Sequence, residues 1–176
     1  MRLFWRLIKL IILLFIFTRI YYYCFYWLSS QDIGNGLLPE KIEVAGFVLS
    51  KEYFDLREGC GIRVFKLSKN TLAQINQQGL TFFNNATKAR GYDPVKHRYN
   101  KYYSYEKWQE TPVQESKENR NFSSGLMCAN QLELDKSLLE KITLAANTKG
   151  SYYTGHYEGQ LVVIPRLGIV VFSYSG

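Results

Sequence analysis

The sequence predicts an α+β protein: one N-terminal transmembrane helix followed by a small domain with a mainly antiparallel sheet and two or three helices. Three observations carry this. Leu7 to Leu28 is an almost unbroken apolar and aromatic run, and no acidic residue precedes Asp32. Residues 135–147 place Leu138, Leu139, Ile142, Leu144 and Ala145 on one face at helical spacing. Residues 160–164 and 169–174 are two short apolar runs joined by Pro165-Arg166-Leu167-Gly168, the pattern of a hairpin. The organisation that follows is a signal-anchor helix over 1–30, a linker over 31–40 and an extracytoplasmic α+β domain over 41–176.

A helix needs about 20 mostly apolar residues to cross a hydrocarbon core, and residues 7–28 meet that length. The run ends in Tyr21-Tyr22-Tyr23-Cys24-Phe25-Tyr26-Trp27, residues suited to the water–lipid boundary. Arg2, Arg6 and Lys9 precede the core, whereas Asp32 and Glu40 follow it before any Lys. Basic flanks stay cytoplasmic, so the N-terminus is expected inside and the domain outside, periplasmic or extracellular, with the bacterial inner membrane as the expected location. A cleaved signal peptide fits less well, because Leu28-Ser29-Ser30 is a poor substitute for a small-residue cleavage triplet. An interfacial helix needs a strongly polar face, which this run lacks. Arg19 interrupts the run. A central Arg costs about 2.5–3.5 kcal/mol on insertion scales. It contacts a partner helix within the membrane, or the helix tilts or shifts so that it reaches headgroups, the simpler reading for so hydrophobic a helix.

The chain carries 22 basic and 15 acidic residues, a net +7. Four of the basic residues (Arg2, Arg6, Lys9 and Arg19) and none of the acids lie in residues 1–30, so the remainder is only +3. That excess is too small and too dispersed to argue for a nucleic-acid partner. The expected partners are the lipid bilayer, through residues 7–28, and another envelope protein. Cys60 and Cys128 form an even pair on the side where disulfides persist. A bridge between them is expected, and two buried free thiols are the alternative.

Along the domain, residues 31–36 have turn chemistry. Lys41 to Leu49 reads as a strand, and its Ala45-Gly46 centre either weakens that reading or marks a bulge. Arg57-Glu58-Gly59-Cys60-Gly61 reads as a turn flanked by solvated charges, and Ile62 to Leu67 as a second strand. Ser68 is a candidate N-cap for a helix over 69–87, which Gly79 ends or breaks in two. Residues 88–124 are the least regular, and Glu115 to Asn121 reads as a loop tip. Asp135 favours the start of the helix over 135–147, and Gly150 its stop. Residues 151–159 read as a Tyr/Gly-rich connector. The final hairpin is apolar on both faces and is expected at the centre of a helix-covered sheet.

No Gly-rich phosphate loop, H-E-x-x-H, C-x-x-C, G-x-S-x-G or acidic calcium loop is present. No catalytic residue, no metal site and no cofactor is assigned. His97, His156, Cys60 and Cys128 lack ligand spacing, and a thiol nucleophile served by either histidine fails if the cysteines are bridged. Two candidate binding surfaces remain. Tyr152, Tyr153 and His156 lie in the connector, where loops carry binding residues. The alternative there is a turn whose tyrosines pack on the hairpin. Lys96, Arg98 and Lys101 interleave with tyrosines in a segment able to meet lipid headgroups or glycan, or to lie as a plain surface loop. The expected function is a non-catalytic protein-interaction module in the cell envelope. An envelope enzyme with a dispersed site and a lipid- or glycan-binding module are the alternatives.

Overall fold

The computed structural model describes residues 2–56, 58–96, 101–114, 121–131, 135–156 and 158–176. The chain divides into two compact units, residues 1–34 and 35–176.

Helix α1 spans Arg2–Leu37. Its stretch Ile8–Phe25 has a mean hydropathy of 1.8, and none of it is buried in the protein. This helix is long and apolar enough to cross a membrane.

The second unit begins inside the last turn of α1. Residues 35–40, read from the sequence as part of a linker, are instead built into the domain. Leu38 and Ile42 are fully buried. The guanidinium of Arg90 donates to the carbonyls of Asn35 (3.1 Å), Glu40 (3.3 Å) and Ile42 (3.0 Å). The Tyr105 hydroxyl donates to the Leu37 carbonyl at 2.7 Å, and the Gly91 N–H to that of Gly36 at 2.8 Å. A helix leaves its last carbonyls unpaired and favours a cation there. Residues far along the chain supply both, which the turn chemistry of 31–36 did not reveal.

The domain is a six-stranded antiparallel sheet with helices on both faces. Its strands are β1 (Val44–Phe54), β2 (Gly59–Leu67), β3 (Gln109–Glu110), β4 (Tyr152–His156), β5 (Gly159–Ile164) and β6 (Ile169–Ser175). Their order is β1-β2-β6-β5-β4-β3. The hairpin β5–β6 sits centrally, as its two apolar faces require. Gly168 takes the left-handed conformation at its turn (φ 64°). The register of β1 against β2 shifts between Val44 and Gly46, the bulge its glycine marked.

One face packs Phe65, Leu161, Val163, Val170 and Phe172 against Ile75 of α2 (Lys69–Gln78) and Phe82, Phe83 and Trp108. Ser68 caps α2 by accepting the Thr71 N–H at 3.0 Å. Gly79 (φ 59°) closes it, and a 3-10 turn follows over Gly79–Phe83. The other face packs Ile62, Val64, Val162 and Val171 against Phe122 and Leu126 of α3 (Asn121–Gln131) and Ile142 and Ala145 of α4 (Lys136–Asn147). Asp135 caps α4 by accepting the Ser137 N–H at 2.9 Å.

Three elements depart from the sequence reading. Gly59, Cys60 and Gly61 belong to β2 rather than to a turn, because β1 extends to Phe54 and pairs with them. Residues 152–156 form β4 rather than a connector, because β5 pairs with every one of them. Helix α3 forms although Gly125 interrupts it. A Cβ at Gly125 would lie 2.1 Å from Ser173 Oγ and 2.8 Å from the Tyr174 backbone N and O. The missing side chain therefore lets the helix lie directly on β6. Gly125→Ala is expected to destabilise the protein by about 1–3 kcal/mol through this overpacking, although the same change stabilises a free helix by about 1 kcal/mol. A urea melt of the full chain in detergent reads the sign, and a stabilised variant would refute the close contact. Glu115 to Arg120, the bulk of the expected loop tip, lie outside the described residues.

Candidate functional site

Strand β4 separates the three residues singled out in the connector. Tyr153 is 2% exposed and faces α3 and α4. Its hydroxyl donates to Gln109 Oε1 at 2.9 Å and accepts the Gln114 N–H at 3.3 Å, which makes it a core strut rather than a binding residue. Tyr152 and His156 share the opposite face, two residues apart on either side of Thr154. Tyr152 packs on Phe83 with ring centroids 5.1 Å apart.

The basic segment meets this face at one point. Lys101 opens a 3-10 turn over Lys101–Tyr103, and the ring of its neighbour Tyr102 packs edge-on against His156 at 5.9 Å. Lys96 stands exposed in a turn where its N–H and that of Val95 donate to Asp93 Oδ1. Arg98 and His97 lie outside the described residues. The structure thus joins His156 to the Lys101 end of the basic segment.

Around His156 the sheet carries a cross-strand row: His156 opposite Gly159, Gly159 opposite Tyr174, Tyr174 opposite Gly61, and Gly61 opposite Glu52. Gly61 leaves room for the Lys51 carbonyl and Glu52, and Gly159 for two rings. A Cβ at Gly159 would lie 2.7 Å from the Phe172 ring and 2.8 Å from His156 Cε1. The imidazole is 8% exposed and enclosed by Tyr102, Tyr105 and Phe172. Its Nδ1 accepts the Glu158 N–H at 3.3 Å, which assigns the ring proton to Nε2. That Nε2 is buried, and no described residue hydrogen-bonds to it. Burial lowers the His156 pKa to about 4, so the ring is neutral at neutral pH. Tyr174 stacks on Phe172 at 5.7 Å, and its buried hydroxyl has no partner among the described residues. Burial first, and the Glu52 carboxylate second, push its pKa up to about 12 against the opposing charge of Arg63. Glu52 itself pairs with Arg63 and accepts from the Ser50 hydroxyl at 3.0 Å. The row is therefore a desolvated aromatic and ionic cluster. Its imidazole carries the ring proton on a buried nitrogen, and burial makes Tyr174 hold its own proton tightly.

Cys60 and Cys128 are bridged, with Cα atoms 6.1 Å apart. The bond occupies both sulfurs, so neither is a thiol nucleophile in this state. Cys24 is a free, exposed cysteine of α1. Among the described residues, no group of three or more His, Cys, Asp and Glu side chains is placed to hold a metal ion.

The sequence reading missed the exposed end of the β1–β2 hairpin. Tyr53, Phe54 and Leu56 are 53%, 67% and 99% exposed. The turn is closed by the Asp55 N–H donating to the Glu58 carbonyl at 2.9 Å. An open hollow of about 600 Å³ lies beside it, lined by Tyr53, Asp55, Leu56, Glu58, Cys60 and Ser175 among others. The available signal was the pair Tyr53-Phe54 followed by Leu56, which breaks the alternation of a half-buried strand. Comparison with protein-family models, with curated proteins and with solved structures returns no match.

Proposed function

We propose that this is a single-pass protein of the bacterial inner membrane whose outer domain is a non-catalytic module that binds another envelope protein through the end of its β1–β2 hairpin. The N-terminus is cytoplasmic and the domain periplasmic or extracellular. The exposed set Tyr53, Phe54 and Leu56 carries the reading. Apolar side chains gathered at a rim that also holds Asp55 and Glu58 are the usual dress of a protein-binding patch. The bases Arg2, Arg6 and Lys9 support the orientation. The Cys60–Cys128 bridge supports an oxidising side of the membrane. The weak net charge of the domain supports a partner other than nucleic acid.

The test is Phe54→Ser with Leu56→Ser in the full chain, followed by crosslinking in membranes and purification. These side chains stand in solvent, so the melting midpoint should hold within a few degrees. The partner recovered with the unaltered chain should fall at least tenfold. Equal recovery would remove the hairpin end from the interface. A second reading, lipid- or glycan-binding, is supported by the contact between Tyr102 and His156 beside Lys101. It requires that neutralising Lys96, Arg98 and Lys101 weaken liposome or glycan binding.

A further inference from the structure

We propose that Arg19 pairs, inside the membrane, with a carboxylate on a transmembrane helix of a different protein. This rests on the membrane-spanning reading of residues 7–28.

Arg19 lies deep in the apolar stretch. The midpoint of the apolar stretch Ile8–Phe25 falls between Ile16 and Phe17. At 1.5 Å per residue, Arg19 lies about 4 Å from it and about 9 Å from Phe25. A helical side chain leans toward the N-terminus, and Arg19 does so: its guanidinium sits over the Phe15 ring, 5.6 Å from the centroid. The charge is thus carried toward the middle of the stretch and away from the nearer boundary. Sliding the helix until Arg19 reached the outer headgroups would draw Lys9 and Arg6 into the hydrocarbon. That replaces one buried cation with two, each costing about 2.5–3.5 kcal/mol on insertion scales.

The helix offers this cation little. Thr18 satisfies its own hydroxyl by donating to the Phe15 carbonyl at 2.9 Å. No carboxylate precedes Asp32. Among the described residues no oxygen accepts from Arg19, whose guanidinium rests on the Phe15 face. A guanidinium stays charged and presents a planar fork that matches a carboxylate. A second copy of this chain in parallel register would set Arg19 against Arg19 and is disfavoured. The occupant that complements the charge is an Asp or Glu within the apolar stretch of another protein's helix.

The experiment places a photo-crosslinking amino acid in the full chain, in its native membranes. Ile16 and Tyr23 share the helix face of Arg19, and Leu10 and Tyr21 lie opposite. Resistance to carbonate extraction is scored first. Release of the unaltered chain overturns the anchor reading, whereas retention without adducts overturns only the pairing. The expected result is a protein adduct from Ile16 and Tyr23 at least tenfold stronger than from Leu10 and Tyr21. Arg19→Leu should remain in the membrane and lose the adduct at least tenfold, while Arg19→Lys keeps part of it. The captured protein must carry an Asp or Glu in an apolar helix, and replacing that acid by Leu must abolish capture. Adducts equal on both faces, adducts that survive Arg19→Leu, adducts to lipid alone, or a captured helix without an acid each overturn the proposal.

Discussion

Opening the Cys60–Cys128 bridge is expected to lower the stability of the domain by about 4 kcal/mol. The bridge spans 68 residues of sequence, and the chain-entropy account of so long a loop gives roughly that value. For a domain of this size the midpoint should fall by roughly 12–16 °C. The location adds a structural reason. Cys60 lies in β2 and Cys128 in α3, so the bond ties a glycine-interrupted helix to the sheet. Without it, α3 holds through Phe122, Leu126 and the Ser173 hydroxyl, which donates to the Phe122 carbonyl at 3.0 Å. The measurement is a thermal melt of the full chain in detergent, with and without reductant. Trp108, stacked on Phe83 at 4.3 Å, reports on the core once Trp5 and Trp27 are replaced by Phe. The Cys60→Ser, Cys128→Ser double variant should match the reduced protein. Midpoints within 2 °C of each other, oxidised and reduced, would show that the bridge constrains little.

Acidification is expected to remove about 3 kcal/mol between pH 6.5 and pH 4 through His156 alone. Burial lowers this imidazole from 6.5 to about 4 in the folded protein. One pKa unit corresponds to about 1.4 kcal/mol. In this window the unfolded chain binds the proton and the folded chain refuses it, so stability rises with pH. The contribution is complete above 6.5 and is lost as the pH falls to about 4. Among the described residues the groups facing the ring are Tyr102, Tyr105 and Phe172, with the Glu158 N–H on Nδ1, and none of these is an anion that would hold the imidazolium. Urea melts at half-unit pH steps should therefore slope for the unaltered chain. They should flatten by that amount for His156→Gln, whatever its absolute stability. An unchanged slope in the variant would move the effect to other groups.

The two cases differ in how far the sequence reached them. Cys60 and Cys128 were legible as a pair from their even number and from the side assigned by Arg2, Arg6 and Lys9. Their bridging required Cα atoms within reach, which spacing does not encode. His156 was legible as a residue worth watching but not as a buried neutral imidazole. Its environment comes from Tyr102, Tyr105 and Phe172, between 16 and 54 positions away. Tyr153 shows the reverse. From sequence it is either a surface candidate or a tyrosine packed on the hairpin, and the sheet puts it in the core because successive strand residues face opposite sides. The hairpin end at Tyr53, Phe54 and Leu56 went unseen because exposure depends on what other segments leave uncovered.

By itself the sequence determined the features whose cause is local. The apolar length of residues 7–28 makes a helix of spanning size. Ser68 and Gly79 bound α2, Asp135 starts α4, and Pro165 with Gly168 turns the central hairpin, each through hydrogen bonds or backbone angles set within a few residues. Only the tertiary structure decided β4, α3 and the continuation of α1 to Leu37. A Tyr/Gly run becomes a strand because β5 supplies its ladder. A helix with a glycine at its middle forms because β6 lies against that glycine. The last turn of α1 belongs to the domain because Arg90 and Tyr105 supply donors for its carbonyls.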